Sequence, residues 1–249
     1  MFVRRRGGQA EGFYRQDGEF LYILFPRNQL DRLLPGEWIV DPAITQESIV
    51  ANSDDCYDDN TGGTNNLNGY AGRMYMGTYG GGNTPLGCGL RFQSIPIPAD
   101  ATGMNSASIQ VFREAINNTP NLIITADDVD NAGTWTAGAT TNRPQGSGFT
   151  PTTANTVWNA SFGSNGAYVT TPDIAAVVDE VIQRAGWANN NAIRFRIIRN
   201  VATSNLWIAV NDFNNNSTTE EALFDADYIA AGGGGPPPIF NLLQIGVGR

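Results

Sequence analysis

From residue 48 to residue 228 the apolar residues come in short runs, each broken by Gly, Asn, Pro or Thr before a helical stripe can develop. That texture is what strands require, because a strand buries one face with every second residue and needs only a few of them. Candidate strands are residues 74–76, 87–93, 107–113, 121–126, 156–159, 191–199, 206–209 and 222–224. Ile193-Arg194-Phe195-Arg196-Ile197 alternates strictly, placing Ile193, Phe195 and Ile197 on a core face. Arg194 and Arg196 are then expected to project outward together, where substitution costs little.

One segment keeps helical spacing. Ile174, Val177, Val178, Val181 and Ile182 form a single apolar stripe. Thr171 is placed to supply an N-cap hydroxyl, Pro172 fits the first turn, Asp173 complements the positive dipole end, and Gly186 is a stop. The stripe is the ordinary signature of packing against a core.

The flanks differ from the centre. Residues 12–16 and 19–23 bracket Asp17-Gly18, a preferred hairpin turn pair, and Glu37-Trp38-Ile39-Val40 is a short strand halted by Pro42. A hairpin of this size must pack on something else. At the other end Gly232-Gly233-Gly234-Gly235 is a flexible linker and Pro236-Pro237-Pro238 a stiff one. The tail beyond carries Ile239, Phe240, Leu242, Leu243, Ile245 and Val247, too apolar for a solvated tail and suited to docking. The chain therefore divides into an N-terminal hairpin element (1–45), a β-sandwich (46–229) and a linker with docking tail (230–249).

Composition limits the chemistry. Of 249 residues 41% are hydrophobic, enough for a core, while 16% charged is below the usual quarter. All 15 basic residues are Arg, and the net charge of −9 argues against a nucleic-acid partner. Arg4-Arg5-Arg6 reads as a solvated arm. Gly7-Gly8-Gln9-Ala10-Glu11-Gly12 stands where a signal peptide needs an apolar stretch, and Leu21-Tyr22-Ile23-Leu24-Phe25 is too short to span a membrane. The expectation is a chain that is neither exported nor membrane-bound.

Without His or Lys there is no Ser/His or Cys/His nucleophile machinery and no Schiff-base lysine. Paired carboxylates could still cleave a glycosidic bond. Asp54-Asp55 with Asp58-Asp59, and Asp127-Asp128 with Asp130, are the acidic clusters, both read as turns in which Asp bonds backbone and neither marking a general acid. Asp127, Asp128 and Asp130 are candidate Ca²⁺ ligands by their hard oxygens, although they lack a defined loop spacing, and no other cofactor is expected. Cys56 and Cys88 cannot make a zinc site without His and are expected as free, half-buried thiols. Tyr70, Tyr75 and Tyr79 lie in a glycine-rich stretch and are the candidate exposed faces for stacking a sugar. Trp135, Trp158, Trp187 and Trp207 read more simply as core.

Several pieces share an order with a known fold. They are Gly89-Leu90-Arg91-Phe92, Ile95-Pro96-Ile97-Pro98-Ala99-Asp100-Ala101, Ser108-Ile109-Gln110-Val111-Phe112, Ala126-Asp127-Asp128-Val129-Asp130-Asn131-Ala132, Tyr168-Val169-Thr170-Thr171-Pro172-Asp173-Ile174 and Ala185-Gly186-Trp187. In that order they resemble the jelly-roll, carbohydrate-binding-module-like β-sandwich of bacterial surface proteins, which phage virion proteins also carry. The resemblance implies an all-β, jelly-roll-like antiparallel sandwich with one short helix, an N-terminal hairpin and an extended C-terminal tail. It speaks to fold more than to chemistry. Joined to the missing export signal, it implies a non-enzymatic virion structural protein made in the host cytoplasm. Capsid decoration or cement is the leading role, and tail, neck or fibre attachment the competitor. Partners would be other virion proteins or copies of itself. A glycan-binding adhesion module, and more remotely a glycan-cleaving enzyme, are the readings from other classes.

Overall fold

The computed structural model describes residues 2–5, 8–11, 13–17, 20–24, 39–40, 43–59, 72–80, 84–160, 162–201, 205–213 and 220–231, with side chains from Glu47 onward. Tyr70 and the tail residues Ile239, Phe240, Leu242, Leu243, Ile245 and Val247 lie outside them.

Alternation builds two antiparallel sheets that meet at one strand. β7 (Asp55–Asp58), β9 (Thr84–Phe92), β14 (Ile193–Arg199), β11 (Leu122–Ala126) and β12 (Thr156–Trp158) make the first. β8 (Arg73–Tyr79), β15 (Trp207–Asn211), β10 (Gly103–Asn117), β16 (Leu223–Ile229) and β6 (Ala43–Ser48) make the second, with β13 (Ala167–Thr170) on β10. The corner is β9. Thr84, Pro85 and Leu86 pair with β8, while Gly87 to Leu90 pair with β7 on one side and β14 on the other.

Between the sheets lies one apolar core. Phe92 and Phe195 of the first sheet stack against Phe224 of the second at 5.4 and 5.7 Å. Met74, Met76, Ile109, Val111, Ile208 and Val210 close it from the second sheet. Phe195 is fully buried, as the alternation predicts, so truncation to Ala is expected to cost about 3–5 kcal/mol. Among the described residues the architecture is all-β with one short helix, as the sequence implies.

That helix, α1 (Ala175–Ile182), buries Val177, Val178, Val181 and Ile182 and packs on β10 and β11. It starts later than the capping pattern predicts, with Ile174 at the N-cap and no side-chain cap bond. Thr171 instead extends the ladder between β13 and β10. Its hydroxyl accepts from the Ile109 amide at 3.0 Å, and its own amide donates to the Ile109 carbonyl. Asp173 Oδ1 accepts from the amides of both Ala175 and Ala107, so a strand competes for the capping group and wins half of it.

Four other expectations change. Residues 55–58, read as a turn, form β7. Its acids fall on the two sides of the edge strand rather than in a loop. Arg4 and Arg5 belong to β1 (Phe2–Arg5), paired with β2 (Gly8–Glu11) and β5 (Ile39–Val40), so backbone pairing takes up part of the predicted arm. The hairpin of β3 (Phe13–Asp17) and β4 (Phe20–Leu24) is present, but Asp17 pairs with Phe20 and so ends the strand instead of opening the turn. The boundary at 45/46 cuts β6, which pairs with β16, so the large sheet takes in the chain from Ala43.

Candidate functional site

The outward residues of the two sheets make two different surfaces. On the first sheet, Arg194 and Arg196 of β14 stand beside Arg91 and Gly89 of β9, and Cys56 and Asp58 of β7 continue the face. Most of it is covered: Arg194, Cys56 and Asp58 are buried, and Arg91 and Arg196 are half-buried. Residues 127–151, which leave β11 and return toward β12, lay Trp135 and Phe149 across it as parallel rings 6.2 Å apart. The Arg194 guanidinium sits 4.3 Å over Trp135, and that of Arg196 4.8 Å over Phe149. Arg194 is 6% exposed, so the expectation of a solvated side chain is wrong. Alternation gave its direction correctly, but the long connection supplies a second layer that covers it.

Each acid of the second cluster has a guanidinium. Arg194 binds Asp127 through Nη2 and, at 3.1 Å, through Nε, and its Nη1 donates to Asn142 at 2.6 Å. Arg184 binds Asp128 and, at 2.7 Å, Asp130. In the first cluster Arg91 holds Asp54 at 2.6 Å and Arg143 holds Asp58 at 2.8 Å. Glycine makes room where the layer is tightest. A Cβ on Gly89 would lie 2.4 Å from Trp135 Cζ2, and one on Gly186 would lie 2.0 Å from Asp130 Oδ2. Gly186, read as a helix stop, thus clears space for the Arg184 pair.

These pairings involve Asp127, Asp128 and Asp130, the candidate calcium ligands. The cation beside them is arginine, and binding a metal there would first require breaking charge-assisted hydrogen bonds. Among the described residues no three His, Cys, Asp or Glu side chains gather as a metal site. Burial lowers the pKa of Arg196, with Asp127 pulling it the other way. Cys56 and Cys88 are not joined by a disulfide and are fully buried rather than half-buried; burial also raises the Cys88 thiol well above its ordinary value. A cleft of about 300 Å³ between β12 and β13 is lined by Trp158, Asn159, Ala160, Thr170, Thr171 and Pro172, none of which titrates.

The second sheet carries the more open surface. Along β8 the outward positions are Arg73, Tyr75, Gly77 and Tyr79, while Met74, Met76 and Thr78 are buried. Trp207 of β15 pairs with Gly77. With no side chain at Gly77, the indole lies between the two tyrosines, 5.3 Å from Tyr75 and 6.4 Å from Tyr79. Tyr57 of β7 extends the row, 5.8 Å from Tyr75. Gly77 has φ +118°, and a Cβ there would meet the Leu206 carbonyl at 2.3 Å, so the row depends on that glycine.

Tyr79 is 57% exposed and the other three are half-buried. Asn117 and Asn205 border it: Asn117 donates to the Asn205 carbonyl at 2.7 Å, and Gly80 N–H donates to Asn205 Oδ1. Burial, with Asp59 next, pushes the Tyr57 hydroxyl above the ordinary phenol range, so it stays a neutral donor. Of the candidate stacking faces, Tyr75 and Tyr79 are brought together. Trp135, Trp158 and Trp187 are core as expected, while Trp207 and Tyr57 complete the row. The sequence hides Tyr57 among acids that read as a turn, and an alternating strand gives Trp207 no preference for either face.

No family model matches the chain, and no curated protein matches it. No helix among the described residues is long and apolar enough to cross a membrane.

Proposed function

We propose that this chain is a non-enzymatic structural protein on the exterior of a virion, that of a phage, with capsid decoration or cement as its leading role and tail, neck or fibre attachment as the competitor. The observation that carries the non-enzymatic part is the pairing of Asp54, Asp58, Asp127, Asp128 and Asp130 with arginines. A general acid must be free to exchange its proton with a substrate, and each of these carboxyls is engaged by a guanidinium instead. The virion part rests on the resemblance of the ordered sequence pieces and on the docking character of residues 239–247. Ile239, Phe240, Leu242, Leu243, Ile245 and Val247 would anchor the protein to a neighbouring subunit. Mass spectrometry and cryo-electron microscopy of purified particles test this: the protein is expected at fixed copy number, and its loss on deletion of residues 236–249 is expected without a change in melting temperature. Particles that lack the protein would refute the reading.

The aromatic row favours a second function, glycan binding. Tyr79, Trp207 and Tyr75 offer ring faces beside the amides of Asn117 and Asn205, the combination of stacking and hydrogen bonding that a sugar ring uses. On a glycan array Tyr79→Ala is expected to weaken binding several-fold, since an aromatic contact contributes about 0.5–1.5 kcal/mol. An array without any bound glycan would remove this reading and leave the structural one.

A further inference from the structure

Asp55 sits on β7 at the edge of the first sheet and is 1% exposed. Its Oδ2 accepts from the Phe213 amide at 2.7 Å, just past the end of β15, so one carboxyl ties the two sheets together. Its Oδ1 is buried and has no hydrogen-bond partner. An ionised carboxylate would leave that oxygen desolvated without a donor, which burial makes costly.

Among the described residues the groups facing Asp55 do not supply a compensating cation. Asp212, just past the end of β15 and electrostatically coupled to Asp55, is 2% exposed, and Asp54, its chain neighbour, is 0% exposed. Behind it on β9 lies the buried Cys88 thiol. Arg91, also on β9, is bonded to Asp54 and the Ala132 carbonyl, and Arg143 of the covering loop is bonded to Asp58. Segments 60–71 and 214–219 contain no basic residue. Among the described residues no arginine forms an ion pair with Asp55.

We propose that Asp55 is a neutral carboxylic acid at physiological pH, sharing one proton with Asp212, and that this pair latches the β7 edge of one sheet to the end of β15 in the other. The acid O–H is the donor that the buried Oδ1 position otherwise lacks, and Asp212 is its acceptor. Loss of the proton leaves like charges close together in a buried site. Burial is the largest cause raising the Asp55 carboxyl well above the ordinary carboxylate range; repulsion from Asp212 and Asp54 adds to it, and the Phe213 amide opposes it.

The sign of the pH dependence follows. An unfolded aspartate loses its proton near pH 3.9, whereas the folded one keeps it to higher pH. The folded state therefore holds the extra proton across that interval. The latch contributes fully below the ordinary carboxylate value, weakens as pH rises through the interval, and levels off above the folded value.

Melting curves of the full chain from about pH 4 to about pH 9, for wild type, Asp55→Asn and Asp212→Asn, test it. Asparagine mimics the neutral acid, since its Nδ2 can donate where the O–H would and its Oδ1 can accept from Phe213. Asp55→Asn is expected to match wild type near pH 4 and to melt higher above neutrality, by about 3–5 °C for each pH unit by which the folded carboxyl's midpoint exceeds the ordinary one. Asp212→Asn should change in the same direction. Should a variant fail to fold, the ¹³C titration of the wild-type Asp55 carboxyl carries the test, with a midpoint well above other aspartates expected. An ordinary midpoint would overturn the latch, as would an Asp55→Asn chain less stable than wild type throughout. So would a rise in wild-type melting temperature with calcium chloride that Asp55→Asn abolishes, because the missing partner would then be a cation.

Discussion

On β14, Arg194 and Arg196 point away from the core, and on β8 Tyr75 and Tyr79 do the same, yet Arg194 is 6% exposed and Tyr79 is 57% exposed. Residue type alone would reverse that order. The difference lies in what each sheet has above it. The first is roofed by residues 127–151, which bring aromatic rings and carboxylates down onto the arginines. Among the described residues the second has no such cover over Tyr79, and an aromatic row lies at its surface. Polar outward positions can thus form a second interior when a long connection supplies counter-charges and ring faces, and apolar ones can remain open.

The strongest way to break this comparison is to remove one charge from the roofed face. Arg194→Ala leaves Asp127 buried without its partner and is expected to cost about 3–5 kcal/mol in urea denaturation, comparable with Phe195→Ala. A smaller effect comes from crowding the same face. Gly89→Ala places a methyl against Trp135 and Cys56, and about 1–3 kcal/mol of destabilisation should appear in the same measurement. On the open face Tyr79→Ala should change stability by no more than about 0.5 kcal/mol, because little surrounds it to lose. Thermal melts of that variant would sharpen the contrast, and a large drop would show that the row is structural.

The contrast also marks how far the sequence could be read. The candidate strands, the helix stripe and the core position of Phe195 follow from local periodicity, and they are where the fold places them. The roof does not follow, because residues 127–151 have no period and their Gly, Asn and Thr look like any loop. Arg194 and Asp127 are far apart in sequence, and nothing local announces that they meet. Thr171 shows the same limit on a smaller scale, since its capping pattern is correct locally but a strand amide at Ile109 competes for the hydroxyl. In the candidate stacking surface Tyr75 and Tyr79 were legible from their glycine-rich setting, whereas Trp207 joins them only because its partner across the ladder is Gly77.

A double-mutant cycle on Arg194 and Asp127 tests the covered face most directly. Arg194→Met, Asp127→Asn and the double variant would be compared by urea denaturation at neutral pH. A roofed ion pair predicts that each single change is costly, that the double change costs less than their sum, and that the coupling is about 1–3 kcal/mol. Costs that add within about 0.3–0.5 kcal/mol would mean that the two side chains do not depend on each other, and would contradict the account of that face.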